Sequence, residues 1–274
     1  MRYLPKSNQQ IMKKSFKLML IFALGAGVLT LNSCSDEAEE ELTPETTPAT
    51  TTCYVTQETY SDDEGSETIN YEYNSDDELQ YAIEDGDSTI FEYSGGRVAV
   101  AINGLEESTF IYPAASNTPE RINIKDDGLA TGFVIIVSGA DGITKVENYE
   151  YDAEENAVLV DVSDFTYANG LLSGAKIQEY DAETKEFSTD IEIASIVSDG
   201  KKNPYNGDVA FLFVNDFSPI AASSSNIVSA QVVTELGNFE YTTAYEYNEH
   251  NYPTNATASI FGQTNTIAFT YNCK

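Results

Sequence analysis

Residues 79–112 read LQYAIEDGDSTIFEYSGGRVAVAINGLEESTFIY. Leu79, Tyr81 and Ile83 alternate with Gln80, Ala82 and Glu84; Thr89, Phe91 and Tyr93 alternate with Ile90 and Glu92; Val98, Val100 and Ile102 alternate with alanines. Between the runs stand Asp85-Gly86, Gly95-Gly96 and Asn103-Gly104. A period of two sends successive side chains to opposite faces of a strand. Dipeptides of this kind supply the positive φ angles that two-residue hairpin turns require. The stretch therefore predicts an antiparallel meander.

Working outward, similar punctuation recurs at Asp127-Gly128, Asp141-Gly142, Asn169-Gly170, Asp199-Gly200 and Asn206-Gly207, and no long window carries helical periodicity. A short phrase also repeats: Tyr71-Glu72-Tyr73-Asn74, Phe91-Glu92-Tyr93-Ser94, Tyr149-Glu150-Tyr151-Asp152, Phe165-Thr166-Tyr167, Glu179-Tyr180-Asp181, Tyr245-Glu246-Tyr247-Asn248 and Phe269-Thr270-Tyr271-Asn272. Its irregular spacing fits degenerate hairpin duplication better than a solenoid. As a strand end it puts both aromatics on one face and Glu or Thr on the other, while Asn or Asp begins the turn. Core and cross-strand packing explain those aromatics more simply than a tyrosine platform for sugars, since the chain has no Trp. The expected fold class is all-β, an antiparallel meander of many hairpins forming a curved sheet or barrel-like domain over residues 53–274. Within it, Pro204 to Asn226 reads as a long loop and is the first place to look for a site.

The phrases YEYNSDDELQYA (71–82), YEYDAEENAVLV (149–160) and YEYNEHNYPTNA (245–256), with the closing FTYNCK (269–274), resemble a Bacteroidetes family of lipoproteins whose domain of unknown function is described as porin-like. They are also similar to the tyrosine-aspartate repeats of large surface proteins. The resemblance implies a sheet-rich, curved or barrel-like fold and no particular activity.

The start of the chain predicts a location. Arg2, Lys6, Lys13, Lys14 and Lys17 precede the apolar stretch Leu18 to Leu31, the order of a secretory signal peptide, here expected over residues 1–33 with initiation at Met1 or Met12. The apolar stretch is short for a membrane-spanning helix, which needs about 20 residues. Leu31-Asn32-Ser33-Cys34 resembles a bacterial lipobox, so Cys34 is the expected lipid attachment site and the membrane an expected partner through that anchor. The acids after it (Asp36, Glu37, Glu39, Glu40 and Glu41) resemble the export signal of Bacteroidetes surface lipoproteins, which implies an outer-membrane, surface-exposed location. Residues 34–52 form an acidic, Thr/Pro-rich tether with too few apolar side chains to fold.

The chain has 14 basic and 45 acidic residues. Removing residues 1–33 takes five of the basic and none of the acidic ones, leaving 9 against 45 and a net charge of −36. Such a field disfavours nucleic-acid partners. If Cys34 is acylated, Cys53 and Cys273 remain, bracketing the folded region in a chain bound for an oxidising compartment; they are expected to form a disulfide, the alternative being two separately buried thiols. His250, the one histidine, falls in the turn Asn248-Glu249-His250-Asn251 and reads as an exposed turn residue rather than a metal or acid–base group. No EF-hand loop, Gly-x-Ser-x-Gly elbow, phosphate-binding Gly-rich loop or His-Glu-x-x-His is present, and no catalytic residue, metal or cofactor is predicted. Two function classes follow: a non-enzymatic cell-envelope lipoprotein that binds or scaffolds a glycan or envelope protein, or an enzyme acting on extracellular polysaccharide through paired carboxylates. A lipid-embedded porin is disfavoured, because segments such as Tyr149-Glu150-Tyr151-Asp152 are too short and too acidic.

Overall fold

The computed structural model describes residues 51–62, 65–181, 184–205, 208–260 and 262–274. The signal segment, Cys34, the tether up to residue 50 and Asn206-Gly207 lie outside the described residues. The strands are β1 (Cys53–Ser61), β2 (Ser66–Tyr73), β3 (Leu79–Glu84), β4 (Asp87–Ser94), β5 (Arg97–Asn103), β6 (Glu106–Ile111), β7 (Arg121–Asp126), β8 (Leu129–Ser138), β9 (Ile143–Tyr151), β10 (Ala157–Ala168), β11 (Leu171–Asp181), β12 (Glu186–Lys202), β13 (Ser225–Thr234), β14 (Gly237–Tyr247), β15 (Pro253–Ile260) and β16 (Gln263–Cys273). Each pairs antiparallel with its neighbour in sequence, and β1 pairs with β16, so the meander closes into a sixteen-stranded barrel. Closure leaves no edge strand to template aggregation.

The turns work as their chemistry predicts. At Asp85-Gly86 the φ angles are 53° and 89°, and at Gly95-Gly96 they are 63° and 74°, the left-handed pair of a type I′ hairpin. The third turn slips by one residue: Asn103 ends β5, and Gly104-Leu105 form the loop with only Gly104 at positive φ. Asp199-Gly200 makes no hairpin and lies within β12, where the pairing to β13 is irregular.

At the seam Cys53 faces Cys273 in register, their Cα atoms 4.0 Å apart and their sulfurs joined. Thr52 and Lys274 exchange reciprocal main-chain hydrogen bonds of 3.0 Å just beyond it. Odd-numbered strands begin at this disulfide end of the barrel and even-numbered strands return to it.

Inward-facing positions carry the core: Val55, Tyr71, Leu79, Phe91, Val98, Phe110, Ile122, Val146, Phe165, Leu172 and Ile227 are all buried. The segment read as a long loop differs from expectation. Val209–Val214 form α1 and Pro219–Ala222 form α2, capped by Asp208, whose carboxylate accepts from the Ala210 amide at 2.8 Å, and by Ser218, whose hydroxyl accepts from the Ala221 amide at 3.3 Å. The run VAFLFV is apolar all round, so it shows no amphipathic period to read. A helix of that kind is a buried one. Ring contacts place it: Phe211 lies 5.0 Å from Tyr71 on β2, and Phe213 lies 6.2 Å from Phe91 on β4 and 5.3 Å from Phe110 on β6. Tyr205 meets Phe269 on β16 at 6.5 Å, and α2 packs against β11 across the barrel. The segment is an internal plug.

Candidate functional site

The plug meets the wall at a buried carboxyl, that of Glu58. In β1 the register shifts between Val55 and Gln57, so Val55 and Glu58 both point inward where strict alternation would turn Glu58 to solvent. Glu58 is 9% exposed. Tyr71 on β2 donates to its Oε2 at 3.2 Å, while Tyr205, just before the plug helices, donates at 2.9 Å to Oε1 and 3.0 Å to Oε2. Burial raises the Glu58 carboxyl to about 7, with Glu84 adding to the shift and the two tyrosine hydrogen bonds opposing it. Burial and the neighbouring carboxylate likewise push the Tyr71 and Tyr205 hydroxyls well above the ordinary tyrosine range. Asn203 holds the approach to the plug: its side-chain oxygen accepts from the Tyr205 amide at 2.9 Å and its amide donates to the Ile220 carbonyl at 2.8 Å. Behind Tyr205 lies a cavity of about 30 Å³, lined in part by Asn226, Tyr241, Thr243, Tyr245 and Phe269, room for one or two waters.

The repeated aromatic phrase also resolves into geometry. Tyr73, Tyr93, Tyr167, Tyr245 and Tyr271, each near the end of an even-numbered strand, donate to the carbonyls of Val55, Leu79, Ile143, Ile227 and Pro253 at 2.8–3.2 Å. Each acceptor lies near the start of the preceding strand, so the phrase ties neighbouring strands together at the disulfide end. Tyr149 and Tyr151 depart from the expected core packing. Inward-facing Val146 fixes the parity of β9, and Tyr149, three residues on, falls outside. There Phe133 stacks on Tyr149 at 4.7 Å and 12°, meets Tyr151 at 5.8 Å, and carries the Arg121 guanidinium 3.7 Å above its ring.

Inside the far half of the barrel, Asn148 donates to Asp161 at 2.6 Å. Burial raises the Asp161 carboxyl, and Glu179, Glu150 and Asp190 from the adjoining strands add to the rise. His250 stays in its turn but is half-buried rather than exposed, 3.5 Å from Glu249. A nitrogen of its ring and the sulfurs of Cys53 and Cys273 lie within 4.8 Å of one another, with the two sulfurs already bonded together. The structure thus joins the two cysteines expected to pair. Glu58 carried no signal in sequence, because the bulge that turns it inward has none. Tyr205 fell within the stretch marked out by its length.

The fold is similar to that of solved proteins. The crystal structure of a porin-like protein from Bacteroides uniformis aligns over 80% of this chain and 96% of its own, with a TM-score of 0.54 and 11% identity. What they share is the fold. A porin-like protein from Bacteroides vulgatus aligns over 81% of this chain and 99% of its own at a TM-score of 0.49 and 11% identity. No family model matches the chain, and no curated protein matches it.

Proposed function

We propose that this chain is a non-enzymatic envelope lipoprotein, anchored through Cys34 at the outer membrane, whose plugged barrel stands in water on its tether and binds a surface glycan. The observation that carries this reading is the polarity of the barrel. Its buried core residues and its plug fill the lumen, while Glu72, Glu92, Thr242, Glu246 and Thr270 lie exposed on the outer face and interrupt its apolar positions. A lipid-spanning barrel instead carries an uninterrupted apolar band outside. The most exposed large apolar side chains, Leu236, Leu129 and Leu105, sit singly at or beside hairpin turns. The porin-like fold of the Bacteroides uniformis protein supports an envelope setting.

Tyr149 and Tyr151, half-buried on the outer face against the buried ring of Phe133, are the side chains that suit a sugar. Aromatic rings on the outer wall offer apolar surface to the C–H face of a pyranose, and the nearby Asn123 and Glu147 bring hydrogen-bonding groups for its hydroxyls. Two measurements test the reading. A fatty-acid analogue should label the wild type and not Cys34→Ala, and equal labelling would remove the anchor. On a glycan array the wild type should bind and the double variant Tyr149→Ala/Tyr151→Ala should not; equal signals would move binding elsewhere.

A further inference from the structure

The plug is joined to the wall at the buried acid Glu58, which makes no ion pair among the described residues. Around Glu58 stand Tyr71 from β2, Glu84 from β3, Tyr205 from the plug and Tyr271 from β16, so every titratable neighbour is either neutral or negative. The two lysines that end β12 are turned to other partners: Lys201 lies 3.6 Å over the Tyr247 ring and Lys202 4.6 Å over the Tyr252 ring. A protonated carboxyl at this point satisfies its two tyrosine partners at no charge cost. An anion there has two donors and no counter-charge, and water can reach it only if the group covering it moves.

That group is the plug. Tyr205 packs its ring 5.8 Å from Phe211 of α1, and its carbonyl accepts from the Asp208 amide at 3.1 Å, so its hydroxyl bond to Glu58 fastens the helices to the wall. We propose that Glu58 is a pH-controlled latch on the plug: protonated, it keeps α1 and α2 seated in the lumen, and loss of its proton loosens them from the disulfide end of the barrel. The cavity behind Tyr205 leaves the plug less than fully packed on that side, which is where it yields. The strands, closed by hydrogen bonds all round and by the disulfide, stay in place.

Amide hydrogen exchange on the full secreted chain tests this. The reporters are the Leu212 and Ala222 amides, which donate within the plug to Asp208 and Ser218, and the controls are amides of β4 and β5. With the exchange rates corrected for intrinsic pH dependence, the opening constant of the reporters should rise about tenfold from pH 6 to pH 8 and stay well above that of the controls, which open only when the whole barrel unfolds. In Glu58→Gln the rise should vanish. In Tyr205→Phe the midpoint should move to higher pH, because the lost hydroxyl favoured the anion. A flat wild type, reporters that open no more readily than the control amides, an unchanged rise in Glu58→Gln, or an unmoved midpoint in Tyr205→Phe would each overturn the latch.

Discussion

The hydroxyl of Tyr73 donates to the main-chain carbonyl of Val55 at 2.8 Å, fastening the end of β2 to the start of β1. The same relation joins Tyr93 to Leu79, Tyr167 to Ile143, Tyr245 to Ile227 and Tyr271 to Pro253. The ring of each tyrosine packs in or against the core, and its hydroxyl meets a carbonyl near the strand end.

Removing one of these hydroxyls should therefore be measurable. Tyr73→Phe should cost about 1 kcal/mol, since a carbonyl loses its partner in a part-buried setting. Tyr149→Phe, whose hydroxyl reaches Glu147 on the outer face, should cost less. Urea unfolding of the two variants gives the comparison, and equal losses would mean that the carbonyl bond contributes nothing special.

The second expectation concerns pH. The Glu58 carboxyl is raised in the folded chain from 4.5 to about 7, so between those values the folded state holds a proton that the unfolded state has released. The contribution to stability is present in full below pH 4.5, falls as pH rises, and is gone above 7. In size it is on the order of 3 kcal/mol. Glu58→Gln, which keeps the acceptor and carries no charge, should flatten this part of the profile and be more stable than the wild type at pH 8. A variant less stable at pH 8 would show that the ionised form is accommodated without cost.

Reduction should act through the seam. The bond from Cys53 to Cys273 closes a sequence separation of 220, for which chain entropy gives about 5 kcal/mol as an upper figure. Cys53→Ser/Cys273→Ser should lower the unfolding midpoint, and added dithiothreitol should bring the wild type down to the same value. If the two curves already coincide without reductant, the bond is not formed in solution.

Gly132 on β8 tests a close approach between strands. A Cβ there would stand 2.3 Å from the main-chain oxygen of Tyr149, a contact that only a backbone shift relieves. Gly132→Ala should destabilise by about 1–3 kcal/mol, the usual range for overpacking. The loss should show in thermal melts, and an unchanged midpoint would mean that β8 and β9 separate freely at this point.

Much of this architecture is legible along the chain. Asp85-Gly86 and Gly95-Gly96 dictate turns because few residues tolerate consecutive positive φ angles, and the alternation between them dictates strands. The pairs Tyr71/Tyr73, Phe91/Tyr93 and Tyr245/Tyr247 share a face because a strand repeats every two residues. Which face that is depends on the rest of the barrel. Tyr149 and Tyr151 carry the same phrase, yet they point outward, because the parity of β9 is set by Val146 and the neighbouring strands.

What the sequence determined by itself is what short-range physics controls: strands, hairpins, their order, and the two cysteines placed to close the ring. What only the tertiary structure decided is what depends on residues far apart in the chain. One bulge in β1 turned Glu58 inward, and a short apolar run with no period of its own became a helix once the lumen offered it Tyr71, Phe91 and Phe110 to pack against. Tyr205 and Glu58 stand 147 residues apart in sequence, and neither carries a signal for the other. Their meeting is a property of the closed barrel, because only closure removes the water that either group would otherwise prefer.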